Sequence, residues 1–140
     1  MWLKRYQIEN VVPLLFTIIS TYFVSAYRNY RYYNYVGIGF MVIGLLIWWI
    51  GKLNLDDAFH SGIKPKRLVQ TGIYSKIRHP IYIGLVLTLF GWSVYLLSIM
   101  WLGVTISTLF VMILRAYKEE RALFRKYGKR FIAYKLKTWF

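Results

Sequence analysis

The chain contains no cysteine, which excludes disulfide staples, thiolate nucleophiles and cysteine metal sites. Acidic residues are scarce as well: five Asp and Glu stand against 19 Lys and Arg, a net charge of +14. With two histidines, chemistry is left to two imidazoles, five carboxylates and 13 tyrosines. No phosphate-cradling P-loop, GxGxxG fingerprint, Ser-His-Asp signature, internal repeat or flexible linker occurs. What the sequence has in abundance is apolar surface, 58% hydrophobic residues with only 17% charged in 140 residues. A soluble domain of this size could not bury so much, and the apolar residues fall in uncharged runs. The expected class is therefore all-α, a polytopic integral membrane protein.

The runs predict about four transmembrane helices, at residues 11–27, 35–51, 81–97 and 99–114. Seventeen residues reach roughly 26 Å, enough for a slightly thin bilayer with Tyr32, Tyr33, Trp48 and Trp49 at its interfaces. Residues 81–114 hold no charge and are too long for one crossing, so a tight hairpin is expected, turning near Leu97 to Gly103 with Gly103 supplying the turn dihedrals. Pro80 suits the first position of the third helix and Gly128 the end of the fourth. The arrangement is a single domain, 1–140, with a loop at 52–80 and an amphipathic helical tail at 115–140.

Charge orients these spans. Two basic residues precede the first, six lie in the second loop and nine in the tail, against two in the first loop and none in the hairpin. The positive-inside rule then places both termini, the second loop and the tail in the cytoplasm. The basic excess suits anionic headgroups or an anionic small molecule, and no room remains for a nucleic-acid-binding domain.

Two segments could carry chemistry. The first, Thr71-Gly72-Ile73-Tyr74-Ser75-Lys76-Ile77-Arg78-His79-Pro80-Ile81-Tyr82-Ile83-Gly84, sets a basic pair before a helix start. Unsatisfied first-turn N–H groups there would attract a carboxylate or phosphate. The plainer reading is an interfacial cap with snorkelling basic residues. The second, Arg115-Ala116-Tyr117-Lys118-Glu119-Glu120, places Ile113, Tyr117, Glu120, Phe124 and Tyr127 on one helical stripe, so that Glu120 interrupts an apolar face. Its acids either pair structurally, Glu119 with Arg115 and Glu120 with an arginine of the second loop, or meet a ligand bearing hydroxyl or ammonium groups. Residues 129–137 alternate basic and apolar as an interfacial helix does, resting on headgroups or roofing the site. Asp56, Asp57 and His60 have metal-ligand spacing but lack a second cluster, so no metal is expected.

Taken together, Lys66-Arg67-Leu68-Val69-Gln70-Thr71-Gly72-Ile73-Tyr74, Arg78-His79-Pro80-Ile81-Tyr82-Ile83-Gly84, Arg115, Glu119-Glu120 and Gly128 resemble the isoprenylcysteine carboxyl methyltransferase family of membrane enzymes. The resemblance spans about the last 90 residues, with the motifs in the family's order around an uncharged hairpin. It implies an S-adenosylmethionine-dependent methyltransferase that releases S-adenosylhomocysteine, its cofactor pocket closed by loop and tail. It also implies cofactor contacts at Lys66, Arg67, Leu68, Val69, Tyr74, His79, Pro80, Ile81, Tyr82 and Glu119, and a substrate-facing Arg115. Glu120 is a candidate base or partner. The acceptor implied is a lipophilic small molecule or lipid, most simply a carboxylate, which needs no general base. The chain departs from the family's frequent pattern at Ile73, Lys66 and Phe131, where proline, histidine and tyrosine are common. Membrane sterol reductases, which use NADPH, show a similar Arg-His-Pro-x-Tyr-x-Gly pattern. A non-enzymatic protein that binds anionic lipid would explain the charge and the spans but not the paired acids.

Overall fold

A computed structural model of the chain describes residues 31–55 and 68–140, together with Leu15, Ile18, Ile19 and Tyr22. The expected first span at 11–27 therefore lies outside the described residues, apart from those four. So do Lys66, Arg67, Asp56, Asp57 and His60.

Among the described residues the fold is all-helical: α1 (Tyr32–Leu55), a 3₁₀ turn (Gly72–Ser75), α2 (Pro80–Leu96), α3 (Ile99–Tyr127) and α4 (Lys129–Lys137). Helices α1 and α3 are long and apolar enough to cross a membrane, whereas α2 has 17 residues. Their polarity is inverted relative to a soluble protein. Val42, Ile43 and Leu46 of α1 and Ile106, Phe110 and Val111 of α3 face outward, while Gly37, Gly44, Thr88, Ser93 and Thr105 are buried. Lipid is as apolar as leucine, so helices in it associate through small residues and hydrogen bonds, leaving the large side chains outside.

The α1–α2 pair shows how. Glycines 37, 44 and 51 recur every seventh residue on α1, and Gly84 and Gly91 keep the same interval on α2. A seven-residue repeat keeps one seam in register between two antiparallel helices. The backbones consequently touch: a methyl at Gly44 would lie 2.6 Å from the Thr88 nitrogen and 2.7 Å from the Gly84 carbonyl, and one at Gly91 2.6 Å from the Gly37 carbonyl. Asn34 fastens the far end by donating from Nδ2 to the Tyr95 carbonyl at 2.7 Å. Met41, Trp92 and Tyr95 form the small apolar core there, with Trp101 packing on Trp92.

The hairpin between α2 and α3 is tighter than expected. Leu97 takes the left-handed conformation (φ 46°), and the Leu97 and Ser98 N–H groups both bond to the Ser93 carbonyl. Ser93 and Thr105 then share a 2.9 Å hydrogen bond across the hairpin. Gly103 lies inside α3 with open space around it and does not serve the turn. The two-residue connection is complete before the chain reaches it.

Helix α3 has 29 residues, or about 43 Å, and its uncharged part ends at Leu114. The segment from Arg115 onward therefore projects beyond a hydrocarbon layer of about 30 Å. Gly128 (φ 52°, ψ −123°) breaks the helix in a conformation only glycine adopts readily, and α4 folds back toward the start of α2.

Candidate active site

The site forms where the C-terminal part of α3 meets the N-terminus of α2 and the returning α4. Pro80 begins α2 and, with Ile81, packs on Gly51 of α1. Two residues after Pro80, Tyr82 is carried toward α3, where its hydroxyl donates to Glu119 Oε1. The same oxygen accepts from Arg115 Nε at 3.2 Å, one helical turn away, and the Arg115 guanidinium lies over the Tyr82 ring at 5.8 Å.

His79 sits between the two acids. Its Nδ1 is 3.9 Å from Glu119 Oε2 and its Nε2 is 3.6 Å from Glu120 Oε1, both beyond hydrogen-bond length. The ring stacks on Tyr82 at 5.4 Å with 2° between planes. Only 7% of His79 is exposed, and Nε2 has no hydrogen-bond partner among the described residues. Burial holds the imidazole below its ordinary pKa, against the opposing pull of Glu119 and Glu120 and in concert with Arg78. Burial thus favours the neutral form of the His79 ring, and its Nε2 is left uncommitted.

Glu120 is held from two other sides. Arg78 Nε donates to Oε1 at 2.8 Å and Lys135 Nζ to Oε2 at 2.7 Å. Burial alone would raise this carboxyl's pKa, but the Lys135 bond and the Arg78 charge outweigh it and leave the group below its ordinary range. Arg78 Nη1 also donates to the Thr138 carbonyl at 2.7 Å and to the Lys135 carbonyl at 3.2 Å. The Arg78 and His79 amides donate to the Phe140 carbonyl, and Tyr134 donates to the Tyr74 carbonyl at 2.7 Å. The tail is thereby sewn onto the 71–79 segment.

Half of the predicted residues meet here: His79, Tyr82, Arg115, Glu119 and Glu120 touch or adjoin one another, and the buried Tyr74 lies beneath Tyr134. Leu68 and Val69 are half-buried in the approach to the 3₁₀ turn. Both structural pairings weighed for the acids are present, Glu119 with Arg115 and Glu120 with Arg78. Two expectations change. The first-turn amides of α2 offer less to an anion than expected, since Tyr82 and Ile83 donate to the His79 carbonyl and proline has no N–H at all, which leaves the Ile81 amide. The protein-facing side of α3 runs through Thr105, Ala116, Glu119 and Glu120, whereas Ile113, Tyr117 and Phe124 are about half exposed. For Ile113, in the uncharged part of α3, lipid makes the apolar stripe the outer one, whereas Tyr117 and Phe124 lie on the charged segment beyond it. Lys135 and Thr138 were not predicted, although a basic amphipathic tail following Gly128 was a usable signal for a returning cation. No group of three metal ligands occurs among the described residues.

Apolar helices long enough to cross a bilayer, with a charged and aromatic cluster at one end of the bundle, are the framework of a membrane protein. The chain belongs to the phospholipid methyltransferase family, whose sequence model matches residues 32–130. That family is related to the isoprenylcysteine carboxyl methyltransferase-like enzymes that the motifs resemble. No curated protein and no solved structure matches the chain.

Proposed function

We propose that the protein transfers a methyl group from S-adenosylmethionine to a lipophilic acceptor at the cytoplasmic face of a membrane that it crosses four times. The observation that carries this reading is the Tyr82–Glu119–Arg115 cluster around the neutral, buried His79 at the loop-side end of apolar helices. The donor set fits the cofactor: Glu119 offers a carboxylate for its ammonium or ribose hydroxyls, the aromatic faces of Tyr74 and Tyr82 suit a sulfonium, and His79 Nε2 is an orphaned polar atom awaiting a partner. Its remaining contacts fall to Lys66 through Val69. When bound, the cofactor supplies an electrophilic methyl on sulfur. The residues need to align the acceptor with it and keep water out.

A carboxylate acceptor suits Arg115, whose side chain is 42% exposed and can form a charge-assisted pair. The apolar part of the acceptor would lie between helices and enter from lipid. The neutrality of His79 favours a second reading, a headgroup amine, whose proton must leave as the nitrogen is methylated. His79 Nε2 can take it, with Glu120 stabilising the resulting imidazolium. Family membership sets both ahead of the reductase and the passive lipid binder.

The test is to supply methyl-labelled cofactor to the protein in vesicles with a long-chain carboxylic acid or an amine-headed phospholipid, and to analyse the lipid by mass spectrometry. Label in an ester supports the first reading and label on nitrogen the second. Label in neither, from protein that binds S-adenosylhomocysteine, would contradict both.

A further inference from the structure

The outer face of α4 is unaccounted for by the site. Phe131, Tyr134 and Thr138 face inward, each below 10% exposed. Opposite them Leu136 is 83% exposed, and Ile132 and the adjoining Trp139 and Phe140 are exposed too. Lys129, Arg130 and Lys137 flank this strip, and the helix, KRFIAYKLK, has no acid. An exposed apolar strip rimmed by cations suits the boundary between headgroups and acyl chains.

The backbone puts the strip at that level. Although α3 carries the chain beyond the bilayer, α4 returns it: Trp139 N donates to the Lys76 carbonyl, and its own carbonyl accepts from Arg78 N. Those residues immediately precede Pro80, where the apolar helix α2 begins. The open Trp139 ring thus sits at the depth where tryptophan belts form.

From this we infer that α4 is a docking helix whose outer face, Ile132, Leu136 and Trp139 with Lys129, Arg130 and Lys137, seats on anionic lipid headgroups of the bilayer that the protein spans. Charge complementarity selects this occupant. Each basic residue near an anionic surface contributes about 1 kcal/mol, so the three flanking cations give a preference of roughly a hundredfold for anionic over neutral lipid at low salt. The inference rests on membrane embedding and not on methyl transfer, so the two can fail separately.

Because the chain lacks cysteine, Leu136→Cys creates a single labelling site in the full-length protein. An environment-sensitive fluorophore there, with Arg125→Cys as a control on the projecting end of α3, is read in vesicles with brominated acyl chains. One set is neutral phosphatidylcholine and the other contains phosphatidylglycerol. The expected result is strong quenching at position 136 but not 125 in anionic vesicles, weakened by high salt and by changing Lys129, Arg130 and Lys137 to Gln. Quenching at 136 no greater than at 125 would overturn the docking, and equal quenching in neutral and anionic vesicles would overturn the selectivity for anionic lipid.

Discussion

Replacing Gly44 with Ala tests the glycine seam, because a matched substitution exists on the same helix. At Gly44 the added methyl meets the Thr88 nitrogen at 2.6 Å and the Gly84 carbonyl at 2.7 Å. Both are backbone atoms, which cannot swing aside as a side-chain tip can, so α1 and α2 must separate. Overpacking of this kind costs about 1–3 kcal/mol. At Gly39 the methyl meets nothing within 4 Å, and the gain in helix propensity is worth about 0.5–1 kcal/mol. The two alanine variants should therefore differ by about 1.5–4 kcal/mol, an order of magnitude or more in the folding equilibrium. Reversible unfolding in mixed micelles, followed by circular dichroism, measures the difference. Equal stability of the two variants would refute direct backbone contact between the helices.

Other outcomes follow from the site. Truncating Arg78 to Ala removes its bonds to Glu120 and Thr138 and should cost about 3–5 kcal/mol, the range for breaking a buried charged network, with faster hydrogen exchange across residues 129–139. Tyr134→Phe leaves the Tyr74 carbonyl unpaired and should cost about 1–3 kcal/mol in thermal unfolding, while Tyr117→Phe, on the exposed face, should cost much less. His79 prefers its neutral form in the fold, so its contribution to stability is full above the ordinary imidazole pKa of 6.5 and is lost as pH falls through the lower folded value. An NMR titration should accordingly place its midpoint below 6.5, and a midpoint at or above that value would contradict a buried neutral ring. Glu120, also depressed, contributes stability above its ordinary 4.5 that disappears at more acidic pH, and Glu120→Gln should flatten that limb.

Much of the helical architecture was legible because its signals are local. Pro80 fixes a start and Gly128 an end, and the uncharged 81–114 stretch is too long for one crossing and too apolar for a loop. The Arg115–Glu119 pair was legible too, being one turn apart. What could not be seen were the partners brought by long-range folding. Lys135 reaches Glu120, and Thr138 reaches Arg78 across 60 residues, only because the chain breaks at Gly128 and α4 folds back toward the start of α2. The side of α3 that faces protein escaped for another reason. Its apolar stripe looks like a core face by the soluble-protein rule, which lipid reverses at Ile113, while Tyr117 and Phe124 stay exposed on the charged segment that follows. The glycine repeat at 37, 44 and 51 was visible in the letters, but its meaning depends on the matching glycines of α2.

The central claim, that the cluster around His79 and Glu119 binds a methyl donor, is tested most directly by calorimetry of S-adenosylhomocysteine with detergent-purified protein, NADPH serving as comparator. The account predicts binding that weakens about 10- to 100-fold in Glu119→Gln, the worth of one charged hydrogen bond, and also falls in His79→Ala, with no heat from NADPH. Folded protein that ignores S-adenosylhomocysteine, or whose affinity is unchanged in both variants, would contradict it.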